Sequence, residues 1–77
     1  MALIRVITPT VKERQTVHEE VDCLASTFAF DGERYLQLET FGTNHRKISG
    51  KVSQSIQLDR ESGRQLKLLL EQTFPDL

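Results

Sequence analysis

One cysteine, Cys23, is the whole thiol inventory of this 77-residue chain. A disulfide within the chain is therefore excluded, and so is a zinc site built from several cysteines. A lone thiol fits a reducing compartment. Tryptophan is absent, and the only aromatic residues are Phe28, Phe30, Phe41, Phe74 and Tyr35. No apolar run approaches the ~18 residues of a membrane span. The start, Met1-Ala2-Leu3-Ile4-Arg5, turns polar too early for a secretory leader. The expectation is a cytoplasmic protein without membrane association. Neither sign of charge prevails, with 10 basic and 11 acidic residues and a net charge of −1. That balance argues against a general polyanion binder but leaves room for a local basic face.

The length allows one domain, which buries only roughly 60% of the surface its unfolded chain exposes. Such a core is thin, and pairing with a second copy would enlarge it. A homodimer is the natural expectation.

Leu3 to Thr8 is rich in β-branched residues and reads as a strand ended by Pro9. Residues 10–16 are polar and ambiguous, open to a turn, an edge strand or a short helix with Pro9 at its first position. Val17, Val21, Cys23, Ala25, Thr27 and Ala29 then fall at period two, which predicts a strand over about 20–30. A helix using Val17, Val21 and Leu24 is the competing reading. Asp31-Gly32 is a hairpin signal, because both central positions of the favoured two-residue turn need positive φ. The second arm runs from Arg34 to Phe41. If these two residues are the whole loop, Phe28 faces Tyr35 and Thr27 faces Leu36. One face of the hairpin is then small and aliphatic, and the other carries Phe28, Phe30 and Tyr35 among polar neighbours.

Gly42 to Gly50 is rich in turn formers, and Lys51 to Leu58 reads as the next strand. Asp59 suits a helix N-cap, with Glu61 in the first turn. The helix is expected over about 60–74, stopped by Pro75. Its inner face would hold Ser62, Gly63, Leu66, Leu69, Leu70, Thr73 and Phe74, opposite Arg60, Arg64, Lys67 and Glu71. Gly63 lowers helix propensity by about 1 kcal/mol, which a close approach of helix to sheet would explain. Leu68 lies about 100° round the helix from Leu69, off the main face, and is a candidate dimer contact. The predicted fold is α+β: an antiparallel sheet of about four strands with one C-terminal amphipathic helix packed on one face.

Several catalytic patterns fail. Gly42…Gly50-Lys51 is not a phosphate-binding P-loop, because seven residues separate the glycines and Val52 follows the lysine. His18, Glu20 and Asp22 would share a strand face and could in principle hold a divalent ion, but a solvated, charge-protected strand is the simpler reading. Cys23 falls on the small apolar face and reads as an inert thiol. No serine sits in Gly-x-Ser-x-Gly. No catalytic residue, metal, cofactor or small-molecule substrate is predicted.

Two groupings remain. His45, Arg46, Lys47 and Lys51 cluster in the loop, with Arg34 on the preceding strand, and such cations can neutralise phosphates. Phe28 and Tyr35 can stack on bases. The simpler readings are a solvated loop and rings that pack under the helix or at a dimer contact.

The stretch Tyr35-Leu36-Gln37-Leu38-Glu39-Thr40-Phe41-Gly42, followed by Gly50 to Asp59, resembles a group of short, uncharacterised bacterial proteins. That resemblance covers about a third of the chain and brings no firm activity with it. Ser55-Ile56-Gln57-Leu58-Asp59 leading into Gln65-Leu66-Lys67-Leu68-Leu69-Leu70-Glu71 is similar to the Whirly and transcriptional positive-cofactor-four fold. The similarity implies antiparallel strands followed by one helix, and a dimer that binds single-stranded nucleic acid. This chain differs in lacking a markedly basic strand set.

The expected function is thus a small non-enzymatic nucleic-acid-binding or regulatory module that prefers single strands. It would use Arg34, His45, Arg46, Lys47 and Lys51 for phosphates and Phe28 and Tyr35 for stacking. A protein-interaction subunit without nucleic acid is the alternative. An aromatic face open beside the basic loop favours the first, and a face covered by the helix favours the second.

Overall fold

The computed structural model describes residues 1–42 and 52–77. Strands β1 (Ala2–Ile4), β2 (Cys23–Phe30), β3 (Glu33–Phe41) and β4 (Val52–Leu58) precede helix α1 (Arg60–Thr73). The strands form one sheet in the order β1-β4-β3-β2, and the fold is α+β.

The β2–β3 hairpin is built by its turn. Asp31 and Gly32 have φ of 53° and 80°, the positive pair that a type I′ turn requires and that matches the twist of the arms. Eight residue pairs follow without a shift, from Phe30–Glu33 to Cys23–Thr40. β3 also pairs antiparallel with β4, in register at Leu36–Leu58 and Leu38–Ile56. The register shifts between Thr40 and Phe41, which pair with Gln54 and Val52 and leave Ser53 as an extra residue.

The sheet is mixed rather than purely antiparallel, because β1 pairs parallel with β4. The physical reason is its place. β1 lies on the edge farthest from β2, so residues 5–22 form a crossover instead of a hairpin, and a crossover permits parallel pairing. β1 is also shorter than the run Leu3 to Thr8. Ile4 pairs with Leu58, the last residue of β4, and beyond it the partner strand has turned into the helix. Side chains of the helix end take over: Arg5 meets Asp59 at 3.0 Å, and the Ile7 N–H donates to Gln65 Oε1 at 2.8 Å. At the other edge β2 begins at Cys23, not near 20, because β3 has no straight partner left beyond Thr40. Residues 10–22 are exposed and carry neither strand nor helix, so the helical reading of 17–24 does not hold.

Pleat parity divides the sheet. One face holds Cys23, Ala25, Thr27 and Ala29 with Arg34, Leu36, Leu38, Ile56, Leu58 and Ile4. Helix α1 packs on this face against β3 and β4. The N-cap is a capping box. The Ser62 N–H donates to Asp59 Oδ1 at 3.0 Å, and the Asp59 N–H donates to Ser62 Oγ at 3.0 Å. Ser62 is fully buried, while Leu58 and Phe41, at 3% and 6% exposed, are the buried apolar residues among those described.

The helix is rotated from its expected face. Ser62, Gln65, Leu66 and Leu69 turn inward, whereas Leu70 and Phe74 are exposed. Gln65 belongs inside because it holds the Ile7 N–H. The expected close approach at Gly63 is absent, since a Cβ built there meets nothing within 4 Å. Leu68 stays half exposed and flanks a groove with Ile7 and Pro9.

Candidate nucleic-acid interface on the open sheet face

The second sheet face carries Leu24, Ser26, Phe28 and Phe30 of β2, with Glu33, Tyr35, Gln37 and Glu39 of β3. Ser55 and Gln57 of β4 and Leu3 of β1 continue it. The helix lies on the other side, so this face is open. Phe28 is 38% exposed and Phe30 70% exposed.

The hairpin register places Phe28 directly opposite Tyr35. Their ring centroids are 5.2 Å apart and their planes differ by 22°, a stacked pair. Offset stacking of this kind holds both rings in one orientation. Two residues along β3 from Tyr35, Gln37 Oε1 accepts a hydrogen bond from Gln57 Nε2 at 2.8 Å. This amide bridge crosses from β4 to β3 and keeps one carbonyl and one amino group oriented at the surface. Beyond it, Leu3, Gln37, Glu39, Val52 and Ser55 line an open depression of about 460 Å³. The face therefore runs from rings, through amides, to a mixed polar and apolar hollow.

Its electrostatics differ from the expected grouping. Arg34 is the only basic residue in the four strands. It sits on the helix-bearing face, beside Leu36 and the Asp59–Arg60 end of the helix. One residue of the sequence separates it from Tyr35, and the pleat sends the two to opposite sides. The strand charges on the aromatic face are Glu33 and Glu39. His45, Arg46, Lys47 and Lys51 lie outside the described residues. The segment that carries them is rooted where Phe41 meets Val52, six residues along β3 from Tyr35, or about 20 Å.

Cys23 is exposed rather than buried, because among the described residues the helix packs on β3 and β4 rather than over this end of β2. His18, Glu20 and Asp22 precede β2 instead of sharing a strand with it. Among the described residues no group of three or more His, Cys, Asp or Glu could hold a metal ion. No helix among them is long and apolar enough to cross a membrane.

Comparison with protein-family models, with curated proteins and with solved structures gives no match. The face must be interpreted from its own geometry.

Three long-range contacts have no local signal in the sequence. The Gln37–Gln57 bridge joins residues 20 apart and depends on a register that no local pattern announces. The Arg5–Asp59 and Ile7–Gln65 contacts span 54 and 58 residues. The capping box was accessible in part. An acidic N-cap followed three residues later by a hydroxyl is a local pattern, although Ser62 reads equally well as a residue of the inner helix face.

Proposed function

We propose that this protein is a small non-enzymatic module that binds single-stranded nucleic acid across the sheet face opposite its helix. The observation that carries the reading is the stacked Phe28–Tyr35 pair, with Phe28 38% exposed, on a sheet face that no helix among the described residues covers. Single strands are the fitting ligand, because a duplex keeps the faces of its bases stacked on one another. Bases would stack on the two rings and lie across the Gln37–Gln57 amides. His45, Arg46, Lys47 and Lys51, which lie outside the described residues, are the cations proposed for the phosphates. Arg34, on the opposite face, leaves the ligand-contacting set. The rings and amides bind and orient, and the same face serves RNA or DNA.

A second reading has its own support. Among the described strand residues that point to this face none is basic, and Leu24, Phe28 and Phe30 are exposed together. A protein partner would suit that surface.

Tyr35 distinguishes the two, being the only tyrosine in a chain without tryptophan. Its emission should be quenched on titration with single-stranded homopolymers. Phe28→Ala should weaken binding by about 5- to 150-fold, the equivalent of ~1–3 kcal/mol per stacked base. Three or four phosphate contacts imply a log–log salt slope of about −2 to −3, at roughly −0.7 per phosphate. The joint change Arg46→Ala and Lys47→Ala should flatten that slope. No quenching by either RNA or DNA in low salt would leave the protein-interaction reading standing.

A further inference from the structure

We infer that the outer edge of β2 is a dimerisation strand, along which two copies of the chain pair antiparallel and join their four-stranded sheets into one of eight strands. The inference is independent of the nucleic-acid reading.

The edge itself is the first observation. β2 is an eight-residue edge strand, Cys-Leu-Ala-Ser-Thr-Phe-Ala-Phe, with no charge and no proline. Its pairing with β3 contains no bulge. All eight residues are exposed. Edge strands that stay unpaired are usually short, charged, bulged or covered, because a long bare edge is a template for another strand. The opposite edge follows that rule, since β1 has only three residues. β2 breaks it in every respect.

The turn fixes which backbone groups are free. In the turn Phe30-Asp31-Gly32-Glu33 the end residues form a hydrogen-bonded pair. Bonded pairs alternate along an antiparallel ladder, so Phe28, Ser26 and Leu24 also bond toward β3. Cys23, Ala25, Thr27 and Ala29 then direct their N–H and C=O groups outward. Four donors and four acceptors stand in a row, ready for a matching strand.

A second copy is the occupant that fits. Turned about a two-fold axis through Ser26, the strand is complementary to itself. Ala25 meets Thr27 and Cys23 meets Ala29, so outward-bonding residues oppose outward-bonding residues. These side chains are small and lie on the helix-bearing face. On the other face Leu24 meets Phe28, an aliphatic–aromatic cross-strand pair of the stabilising kind. No like charges are opposed.

The test uses the full chain. Sedimentation and light scattering should give a mass twice 8.8 kDa. Ala25→Pro removes an N–H that faces outward and leaves the β2–β3 ladder intact, so it should yield a monomer with the wild-type circular dichroism spectrum. Leu68→Glu, on the helix, should remain a dimer. A covalent test covers the case in which the proline variant fails to fold. In Cys23→Ser with Ser26→Cys, the two introduced thiols sit across the axis about 4.5 Å apart at Cα. Under a mild thiol oxidant they should lock into a dimer on a non-reducing gel. A monomeric wild type at high micromolar concentration, a dimer untouched by Ala25→Pro, or a dimer that fails to cross-link at position 26 would each overturn the assignment.

Discussion

Asp59 joins three parts of the chain through one side chain. It caps the helix, exchanges hydrogen bonds with the buried Ser62 and meets Arg5 from the far end of the sequence. The Ser62 N–H and hydroxyl, followed by the Arg5 guanidinium, hold its carboxyl below the ordinary value of 3.8. A depressed carboxylate stabilises the fold at pH values above that of the unfolded group. The contribution is lost as pH falls through the lower folded value, so the sensitive window lies below about pH 4. Asp59→Asn can still cap, but it does not titrate. Its stability should change less than that of wild type between neutral pH and pH 2, as followed by urea midpoints at several pH values. An equally steep acid loss in the variant would show that other carboxylates govern it. Most of the effect belongs to the cap. Arg5 is largely exposed, and exposed ion pairs contribute little. The Glu61–Arg64 pair is of the same exposed kind, with Glu61 holding the guanidinium above its ordinary range through hydrogen bonds and then charge.

Among the elements, the hairpin and the helix separate two uses of glycine. Gly32 has φ of +80°, so an alanine there is strained although it meets no neighbour. Gly32→Ala should destabilise by about 1–2 kcal/mol. Gly63 sits in ordinary helix with open space where its Cβ would be, so Gly63→Ala should stabilise by about 1 kcal/mol. Denaturant midpoints measured side by side test both signs, and a destabilised Gly63→Ala would mean that the helix seats closer to the sheet than described. The same elements show what local pattern can carry. Asp31-Gly32 encodes the turn and, through strict two-residue spacing, the facing of Phe28 and Tyr35. Asp59 and Pro75 frame a helix whose observed span is Arg60–Thr73. Alternation alone overextended β2, because Val17 and Val21 keep the period while β3 offers them no partner. The inner stripe of the helix was misread for a related reason. Hydrophobicity favours Leu70 and Phe74, whereas the neighbour that decides, Ile7, comes from the other end of the chain and selects Gln65.

For the whole molecule, openness is the governing property. The radius of gyration is 14.4 Å, against about 11.5 Å for a compact chain of this length. Residues 5–22 account for part of the difference, since they link opposite edges of the sheet without regular structure of their own. Among the described residues the well-buried apolar side chains are Leu58 and Phe41, in keeping with the thin core that the length implies. The openness of the aromatic face could not be foretold, because it depends on which side the helix takes. The separation of Arg34 from Tyr35 follows from the pleat alone and was available from the sequence, but grouping by charge obscured it.

The parallel seam between β1 and β4 has a consequence for the order in which the molecule is assembled. Of the described strands, the one made earliest bonds to the one made latest, Ala2 beside Ile56, 54 residues later. Synthesis at about 5–20 residues per second makes β1 wait for seconds while the hairpin of β2 and β3 completes itself nearby. β1 can close the sheet only once β4 has emerged, and α1 can be capped against Arg5 only after that. β1 thus acts as a latch fastened only after the rest of the sheet is made. Hydrogen exchange should find Leu3 and Ile4 opening more readily than Leu36 and Leu38, whose strand is held on both sides. A chain stalled before residue 52 would present its first strand with nothing to hold.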